Sequence, residues 1–378
     1  MRWMNGRPSR RTMAGLALFA LLLLALTAGA KKPTRQRWFD DKLRAAQIGS
    51  LAQFAVKERL ESLRVAIDPR NDPNATGLIG EQFTQITTDR GVLPSKLTAT
   101  NPNFAAAVVD LLRRAKLRRG DRIALGLTGS MPGLNIACLA ASEALGLEPI
   151  IITSVGSSMW GANRAELTWL DMETLLVEKG ILHARSVAAS LGGGSDNGRG
   201  LAPEGRRLLR EAIARNGATL IEEDDLEASI AKRMEIFDRL DKEKPIRAYV
   251  NVGGGLASLG GTQNARLIPP GLSKNLGLKN YPVRGVINRM AERGLPVIQL
   301  LQVEELSRKY GLPETPVPMP PIGEGPLFFR DRYTVELVAV YLGVLALTVF
   351  VFIRIDVRYY LARRRTPLKK LRPPAQAA

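Results

Sequence analysis

The stretch of residues 122–137 most constrains the fold, because its hydrophobic pattern changes abruptly from one period to another. Ile123–Leu127 is a short apolar run with a β-branched first residue, which is typical of a buried strand. Thr128, Gly129 and Ser130 interrupt this run, and apolar residues at helical spacing follow. The sequence therefore predicts a strand, a tight polar loop and a helix in succession.

This junction is a candidate anion site. Ser130 can cap the following helix, and Pro132 can occupy its first turn. Backbone N–H groups and the positive end of a helix converge at such a loop, where an anion is stabilised. An ordinary turn between strand and helix is the alternative, because the stretch lacks the lysine of a phosphate-binding P-loop and does not match GxGxxG.

Further β-rich runs alternate with helical patterns on both sides of this stretch. Pro149–Thr153, Ala218–Ile221 and Arg247–Val252 are examples. Such alternation predicts an α/β fold with a mostly parallel, doubly wound, Rossmann-like sheet and helices on both faces. Ligands of these folds bind outside the carboxyl ends of the strands.

Four polar or glycine-rich loops follow predicted strands, at residues 128–130, 154–163, 190–200 and 251–255. Hydroxyl groups and turn N–H groups in them could hold an anion, Trp160 could supply a stacking face, and glycines would let the backbone approach the ligand. Capping, turn formation and fixing of the loops are the structural alternatives. The candidate ligand-binding residues are Thr128, Gly129, Ser130, Asn135, Ser154, Trp160, Asn163, Ser190, Asn251, Gly253 and Gly254.

Two long apolar runs lie near the ends of the chain. Met13–Ala30 follows a basic start and predicts a membrane anchor or a signal peptide, since Ala28-Gly29-Ala30 resembles a cleavage site. Leu337–Ile353 precedes eight Lys or Arg residues, so the positive-inside rule places the tail in the cytoplasm. We therefore expect a protein of the plasma (inner) membrane, with both termini cytoplasmic and the main domain extracytoplasmic.

These observations predict six segments. One of them is a linker, since six prolines lie in the fourteen residues from Pro313 to Pro326. The six segments are an N-terminal membrane anchor or signal peptide (1–30), an amphipathic lead-in helix (31–64), an extracytoplasmic α/β domain (65–311), a proline-rich linker (312–332), a transmembrane helix (333–354) and a basic cytoplasmic tail (355–378).

Charge and residue counts exclude several classes of function. The formal net charge is +18, but more than half of the excess flanks the two apolar runs, so it does not indicate nucleic-acid binding. The single cysteine, Cys138, excludes an intrachain disulfide, and the single histidine, His183, argues against a histidine-based metal site or catalytic triad. No metal site is predicted, because Asp68, Asp72 and Asp196 show no recognised Mg²⁺ or Ca²⁺ spacing.

Asp171 and Glu173 are a pair of acidic residues that could work as acid and base. They are two residues apart, so on a regular helix their side chains would point about 200° apart. Only an irregular helix start would let both face one pocket, and helix-surface charges are the alternative interpretation.

Eight sequence motifs together resemble the poly-γ-glutamate system protein family across roughly residues 60–310. They are Leu78-Ile-Gly80, Asn101-Pro-Asn-Phe-Ala105, Thr128-Gly-Ser130, Leu134-Asn-Ile136, Trp160-Gly-Ala-Asn163, Thr168-Trp-Leu-Asp-Met-Glu173, Gly205-Arg206 and Asn251-Val-Gly-Gly-Gly255. The resemblance implies a membrane-bound accessory of bacterial poly-γ-glutamate synthesis or export, working beside an ATP-dependent ligase and the membrane components of the synthase. It carries over no catalytic residue and no cofactor.

Two functions therefore stand at this stage. The first is an accessory protein that binds an anionic polymer, its precursor or a partner through the four loops. The alternative is an envelope hydrolase or transferase that acts on an anionic polymer. The sequence leaves open whether the protein is an enzyme.

Overall fold

The computed structural model describes residues 9–277 and 281–354. The chain forms two compact units, of which the larger is Arg35–Phe329. The smaller combines the chain before Arg35 with the chain after Phe329. Arg2 and Arg7 of the basic N-terminal start and all of the predicted tail 355–378 lie outside the described residues.

The smaller unit contains two apolar helices that contact each other, Arg10–Gly29 and Val335–Arg354. Both coincide with the apolar runs of the sequence, and both are long and apolar enough to cross a membrane. Their length and composition permit two membrane spans, whereas the side of the membrane on which each terminus lies stays a prediction.

The larger unit is built around one seven-stranded sheet. Its strands in chain order are β1 (Arg122–Thr128), β2 (Glu148–Ser154), β3 (Ser186–Ser190), β4 (Thr219–Ile221), β5 (Ile246–Val252), β6 (Gly271–Ser273) and β7 (Val297–Leu300). Short two-stranded pairings join Thr87–Asp89 with Ser157–Ser158, Asn163–Arg164 with Leu167–Thr168, and Lys31–Arg35 with Phe329–Tyr333.

Eleven helices belong to the larger unit, as far as the structure describes it. They are α1 (Phe39–Ser62), α2 (Leu93–Ala99), α3 (Phe104–Arg114), α4 (Pro132–Leu145), α5 (Trp169–Glu178), α6 (Pro203–Arg215), α7 (Leu226–Asp241), α8 (Leu256–Leu259), α9 (Asn264–Leu267), α10 (Val286–Glu292) and α11 (Val303–Tyr310).

The strand order is β6-β7-β5-β1-β2-β3-β4, and every neighbouring pair is parallel except β6 with β7. The predicted α/β class and mostly parallel sheet are therefore confirmed. From β1 the chain adds β2, β3 and β4 in one direction and then returns to place β5 on the other side of β1. The order thus reverses between β1 and β5, where the crossover connections leave in opposite directions.

Residues of the strands alternate between separate hydrophobic clusters. Ile123 and Leu125 of β1 belong to a large cluster with α1, α3 and α4, whereas Ala124 belongs to a second cluster with α7 and α10. The uncharged strand interiors follow from this arrangement, because side chains on both faces of a parallel strand are buried. Cys138 of α4 is one of the fully buried residues of the large cluster.

Helix α1 and the proline-rich segment are packed into the larger unit. Ala52, Val56 and Leu60 of α1 are core residues, and Phe328 is fully buried beside them in the same cluster. The backbone N–H of Gln36 donates to the carbonyl of Phe328 at 2.8 Å, so the first and last residues of the unit adjoin. The compact unit therefore begins and ends further out than the predicted domain 65–311, because one face of α1 is buried in the core of that unit.

Two leucines of α1 test whether this helix is part of the core. Leu60 is 2% exposed and Leu51 is 59% exposed on the same helix. We expect Leu60→Ala to lower the free energy of unfolding by about 2–5 kcal/mol, since it leaves a cavity, and Leu51→Ala to change it by less than about 0.5 kcal/mol. Urea unfolding of the full chain in detergent measures both, and equal effects would contradict the packing of α1.

Candidate functional site

A cavity of about 540 Å³ opens at the carboxyl edge of the sheet. Thr128 at the end of β1, Ser154 at the end of β2 and Gly254 after β5 contribute to its wall, so it lies where the strand order reverses. Its size is that of an ordinary ligand pocket. In open α/β sheets this position is the usual place for a ligand, since the connections leave a crevice there.

Three predicted residues lie side by side at this edge. The register of the parallel strands places Thr128 opposite Ser154, and Ser154 opposite Ser190. Their alignment follows from the sequence, because each is the last residue of its strand and parallel strands end at one edge. Thr128 and Ser154 line the cavity, whereas Ser190 is fully buried behind it.

The glycines after β5 allow its chain to approach β1 closely. A Cβ atom on Gly253 would lie 2.2 Å from the Oγ1 of Thr128, and the residue has a φ of 86°, which favours glycine. A Cβ on Gly255 would lie 3.0 Å from the Cγ2 of Thr128. Gly254 instead has open space beside it, because a Cβ there would meet only Leu301 at 3.9 Å.

The loop 128–130 is fixed by hydrogen bonds, and one predicted role of Ser130 is wrong. Helix α4 begins at Pro132 as predicted, but Ser130 does not cap it, because its Oγ accepts a hydrogen bond from the backbone N–H of Ser158 at 2.9 Å instead. Gly129 donates its N–H to the carbonyl of Ser154, and Asn135 donates to the carbonyl of Thr128 at 2.8 Å. Ser130 lines the cavity, whereas Gly129 and Asn135 do not.

A buried ion pair between Arg233 and Asp196 lies beside the cavity, and Asp196 is the partner that lines it. The two side chains are 3% and 1% exposed, and the Nη2 of Arg233 lies 2.8 Å from the Oδ2 of Asp196. Arg233 also donates to the hydroxyls of Ser154 and Ser190, which themselves donate to Asp196 at 2.8 Å. Ser229 completes the cluster by donating to Asp196 at 2.7 Å. Two of the hydroxyls predicted to bind a ligand, those of Ser154 and Ser190, are therefore occupied by this pair.

Lys96 of α2 is a second buried cation at the cavity. It is 5% exposed, and no carboxylate lies within ion-pair distance of it in the described part of the chain. Its Nζ contacts the carbonyl oxygen of Ser130 and lies 2.8 Å from the Oγ of Ser158. Burial lowers the pKa of Lys96 to about 7, because desolvation disfavours the ammonium form.

Trp160 and Asn163 hold a neighbouring loop and do not line the cavity. Asn163 is fully buried; its Oδ1 accepts from the N–H of Glu81, and its Nδ2 donates to the carbonyl of Glu81 and to Thr87. Trp160 has a φ of 59° and pairs through its backbone with Gly80 and Glu81. Their contacts match the alternative in which both residues fix the loop.

Asn251 lies deeper in the sheet, opposite Gln299 of β7. Its Nδ2 donates to the Oε1 of Gln299 at 2.7 Å and to the carbonyl of Gly253 at 2.8 Å. The amide thus sets the turn that follows β5, which is the structural role that the sequence left open. Neither Asn251 nor Gly253 lines the cavity.

Asp171 and Glu173 are separated as helix geometry predicts. Asp171 accepts from Thr168 at the start of α5 and pairs with Arg215 at 2.6 Å. Glu173 is 1% exposed, and it accepts from the backbone N–H and the hydroxyl of Ser186. Burial raises the pKa of Glu173 to about 7. The two carboxylates therefore form no acid and base pair.

Metal ligation has no support within residues 9–277 and 281–354. No group of three or more His, Cys, Asp or Glu side chains lies there in a position to hold a metal ion. Asp72 instead accepts from Thr76 and Gly77, and Asp196 is held by Arg233.

Lys96 and Arg233 are the functional candidates that the sequence analysis missed. Arg233 lies on the apolar face of α7, seven residues after Leu226 and four before Phe237. A charged residue at helical spacing from these apolar residues could have predicted a buried cation. Lys96 is 62 residues before Ser158 in the chain, and its short helix gives no periodicity from which their contact could be predicted.

The comparisons with known proteins returned no relatives. No family model, no curated protein and no solved structure matches the chain. The site is therefore interpreted from its own geometry and from the sequence resemblance.

The buried ion pair makes a prediction about stability. We expect Asp196→Ala to lower the free energy of unfolding by about 3–5 kcal/mol, because it leaves the guanidinium of Arg233 buried without a counter-charge. The control is Asp238→Ala, which breaks an exposed pair with Arg293 and is expected to cost less than about 1 kcal/mol. Urea unfolding measures both variants, and a small effect at Asp196 would show that water reaches Arg233.

Glu173 makes a second prediction, on the pH dependence of stability. The pKa of Glu173 in the folded protein, about 7, lies above the ordinary glutamate value of 4.5, so its contribution to stability is complete below pH 4.5 and is lost as the pH rises through 7. Glu173→Gln removes this titration while keeping a carbonyl acceptor for Ser186. We expect the variant to gain stability relative to the unsubstituted chain between pH 5 and pH 7, by up to about 1.4 kcal/mol per pH unit. A difference independent of pH would contradict this assignment.

Proposed function

We propose that the protein is a membrane-tethered accessory of poly-γ-glutamate synthesis or export, and that its cavity binds a segment of the polymer or its precursor. The observation that carries the proposal is the cavity at the reversal of strand order, walled by hydroxyl groups, glycine backbone and cations. The proposal takes the sheet to be doubly wound and Rossmann-like. The family resemblance supplies the identity of the polymer.

The lining suits a ligand that carries both amide groups and carboxylates. The backbone N–H groups of Gly254 and Gly255 have no hydrogen-bond acceptor among the described residues, and both glycines line the cavity. Arg90, an exposed cation of the lining without an ion pair in the described chain, can meet a carboxylate. Asp89 and Glu304 also line the cavity and can accept hydrogen bonds from amide N–H groups.

The two apolar helices support a membrane location. We propose that both span the plasma (inner) membrane, that both termini are cytoplasmic and that the unit Arg35–Phe329 is extracytoplasmic. Basic residues precede the first apolar run and follow the second, and the positive-inside rule places such residues in the cytoplasm. Membrane components of the polymer synthase are then the expected partners. A nucleic-acid partner is not proposed.

One contact favours the second candidate function, a hydrolase or transferase acting on the same polymer. The hydroxyl of Ser158 lies at the cavity beside a buried lysine, which is an arrangement found at activated nucleophiles. This contact is developed in the next subsection.

A substitution at Gly254 tests ligand binding in the cavity. Gly254→Leu fills open space without a backbone clash, and Gly277→Leu places the same side chain where nothing lies within 4 Å and outside the cavity lining. We expect the full chain in detergent to bind poly-γ-glutamate, Gly254→Leu to weaken binding at least tenfold, and Gly277→Leu to leave it unchanged. Isothermal calorimetry measures the three affinities.

A duplex DNA of similar charge is the control for the overall positive charge of the protein. Equal binding of DNA and polymer, or normal polymer binding by Gly254→Leu, would contradict the proposal.

Arg90→Glu is expected to weaken polymer binding in low salt, because it reverses a charge of the cavity lining. Arg70→Glu, which changes an exposed arginine outside the cavity lining, should leave polymer binding unchanged.

A further inference from the structure

The hydroxyl of Ser158 and the amine of Lys96 meet in a setting that permits proton transfer. The Nζ of Lys96 and the Oγ of Ser158 are 2.8 Å apart, and both residues line the cavity. The hydroxyl of Ser158 has no other side-chain or backbone partner in the described residues. At this distance an ammonium donates to the hydroxyl, whereas a neutral amine accepts its proton.

Neighbouring groups hold both side chains in place. The carbonyl oxygen of Ser130 accepts one N–H of Lys96, which orients the rest of the amine towards Ser158. The backbone N–H of Ser158 donates to the Oγ of Ser130 at 2.9 Å, so Ser130 positions base and hydroxyl together. A nucleophile, a base and a third group that orients the base are the parts that an activated serine requires.

The surroundings of Lys96 favour the amine in its basic form. No carboxylate pairs with it, and its pKa of about 7 leaves about half of the molecules neutral at neutral pH. A buried lysine without a counter-ion is costly for stability alone and is instead typical of functional sites.

We propose that Ser158 is the nucleophile and Lys96 the general base of an acyl-transfer reaction on a ligand held in the cavity. The substrate is an amide whose acyl chain carries carboxylates, a class that rests on the proposed function. This makes the accessory an enzyme that cuts or transfers segments of the polymer that it binds.

The reaction balances with water as the only co-substrate. The Oγ of Ser158 attacks the carbonyl carbon while the Nζ of Lys96 takes the hydroxyl proton. The C–N bond then breaks, Lys96 returns the proton to the leaving amine, and an acyl ester on Ser158 remains. Water attacks this ester, Lys96 takes a proton from it, the C–O bond to Ser158 breaks, and Ser158 regains its proton as the carboxylic acid leaves.

The hydroxyl of Ser130 is a donor for the developing negative charge at the cavity. It lines the cavity and accepts from the N–H of Ser158, while its own proton has no acceptor in the described chain. A side-chain hydroxyl can stabilise an oxyanion in this way.

Labelling with a fluorophosphonate, an electrophile that phosphonylates activated serines with loss of fluoride, tests the proposal on the full chain in detergent. We expect one labelled residue, identified by mass spectrometry as Ser158, with label abolished in Ser158→Ala and slowed at least 100-fold in Lys96→Met. The controls are Ser62→Ala, an exposed serine bonded only to Arg59, and Lys179→Met, an exposed lysine paired with Glu58. Both should label as the unsubstituted chain does.

The pH profile separates a base from a structural lysine. The labelling rate should rise with pH around a midpoint near 7, because only neutral Lys96 accepts the proton, and Lys96→Met should lose this midpoint. An unlabelled protein, label elsewhere, or a profile unchanged in Lys96→Met overturns the proposal.

Binding and chain length of poly-γ-glutamate are measured on the same samples. We expect the unsubstituted chain to shorten the polymer, and Ser158→Ala to retain it without shortening. Retention by both proteins without label or shortening overturns the nucleophile and leaves the proposed function in place. Label on Ser158 without retention overturns the polymer as ligand and leaves the nucleophile.

Discussion

One buried ion pair holds the carboxyl edge of the sheet together. Arg233 reaches from α7 to Asp196, and the hydroxyls at the ends of β2 and β3 bind both partners. A buried ion pair is stable only when its remaining donors and acceptors have hydrogen-bond partners, and the serine hydroxyls provide these hydrogen bonds. The cavity therefore has a rigid wall whose hydroxyls have fixed directions before any ligand arrives.

Burial at this edge of the sheet has different consequences for a paired and for an unpaired charge. Arg233 has a carboxylate within hydrogen-bond distance, so its burial is compensated. Among the described residues the amine of Lys96 has a carbonyl and a hydroxyl as its hydrogen-bond partners and no carboxylate, so burial lowers its pKa instead. Arg233 thus stabilises the fold, whereas Lys96 is the cation that the proposed reaction uses for proton transfer.

The sequence predicts what depends on order along the chain and misses what depends on long-range contacts. The central strand, the start of α4 at Pro132 and the alignment of Thr128, Ser154 and Ser190 follow from local patterns and from parallel pairing. A pattern cannot show which of these hydroxyls faces a ligand and which faces Asp196, because that depends on the arginine of a distant helix.

Ser130 shows the same limit on a smaller scale. Its position before a helix favours capping, yet its hydroxyl accepts from Ser158, a residue 28 positions away. The tertiary contact overrides the local preference because the loop after β2 brings a backbone donor to Ser130. The motifs of the family resemblance include residues of both loops, whereas Lys96, which contacts both loops, lies outside these motifs.

The adjoining ends of the larger unit have a consequence for its handling. Gln36 and Phe328 are hydrogen-bonded through their backbones, so the chain enters and leaves Arg35–Phe329 at one point. A cassette with coincident ends can replace a surface turn of a host protein without stretching that host. The architecture thus lends itself to transplantation as an insert, and to circular permutation by a short bridge across those ends.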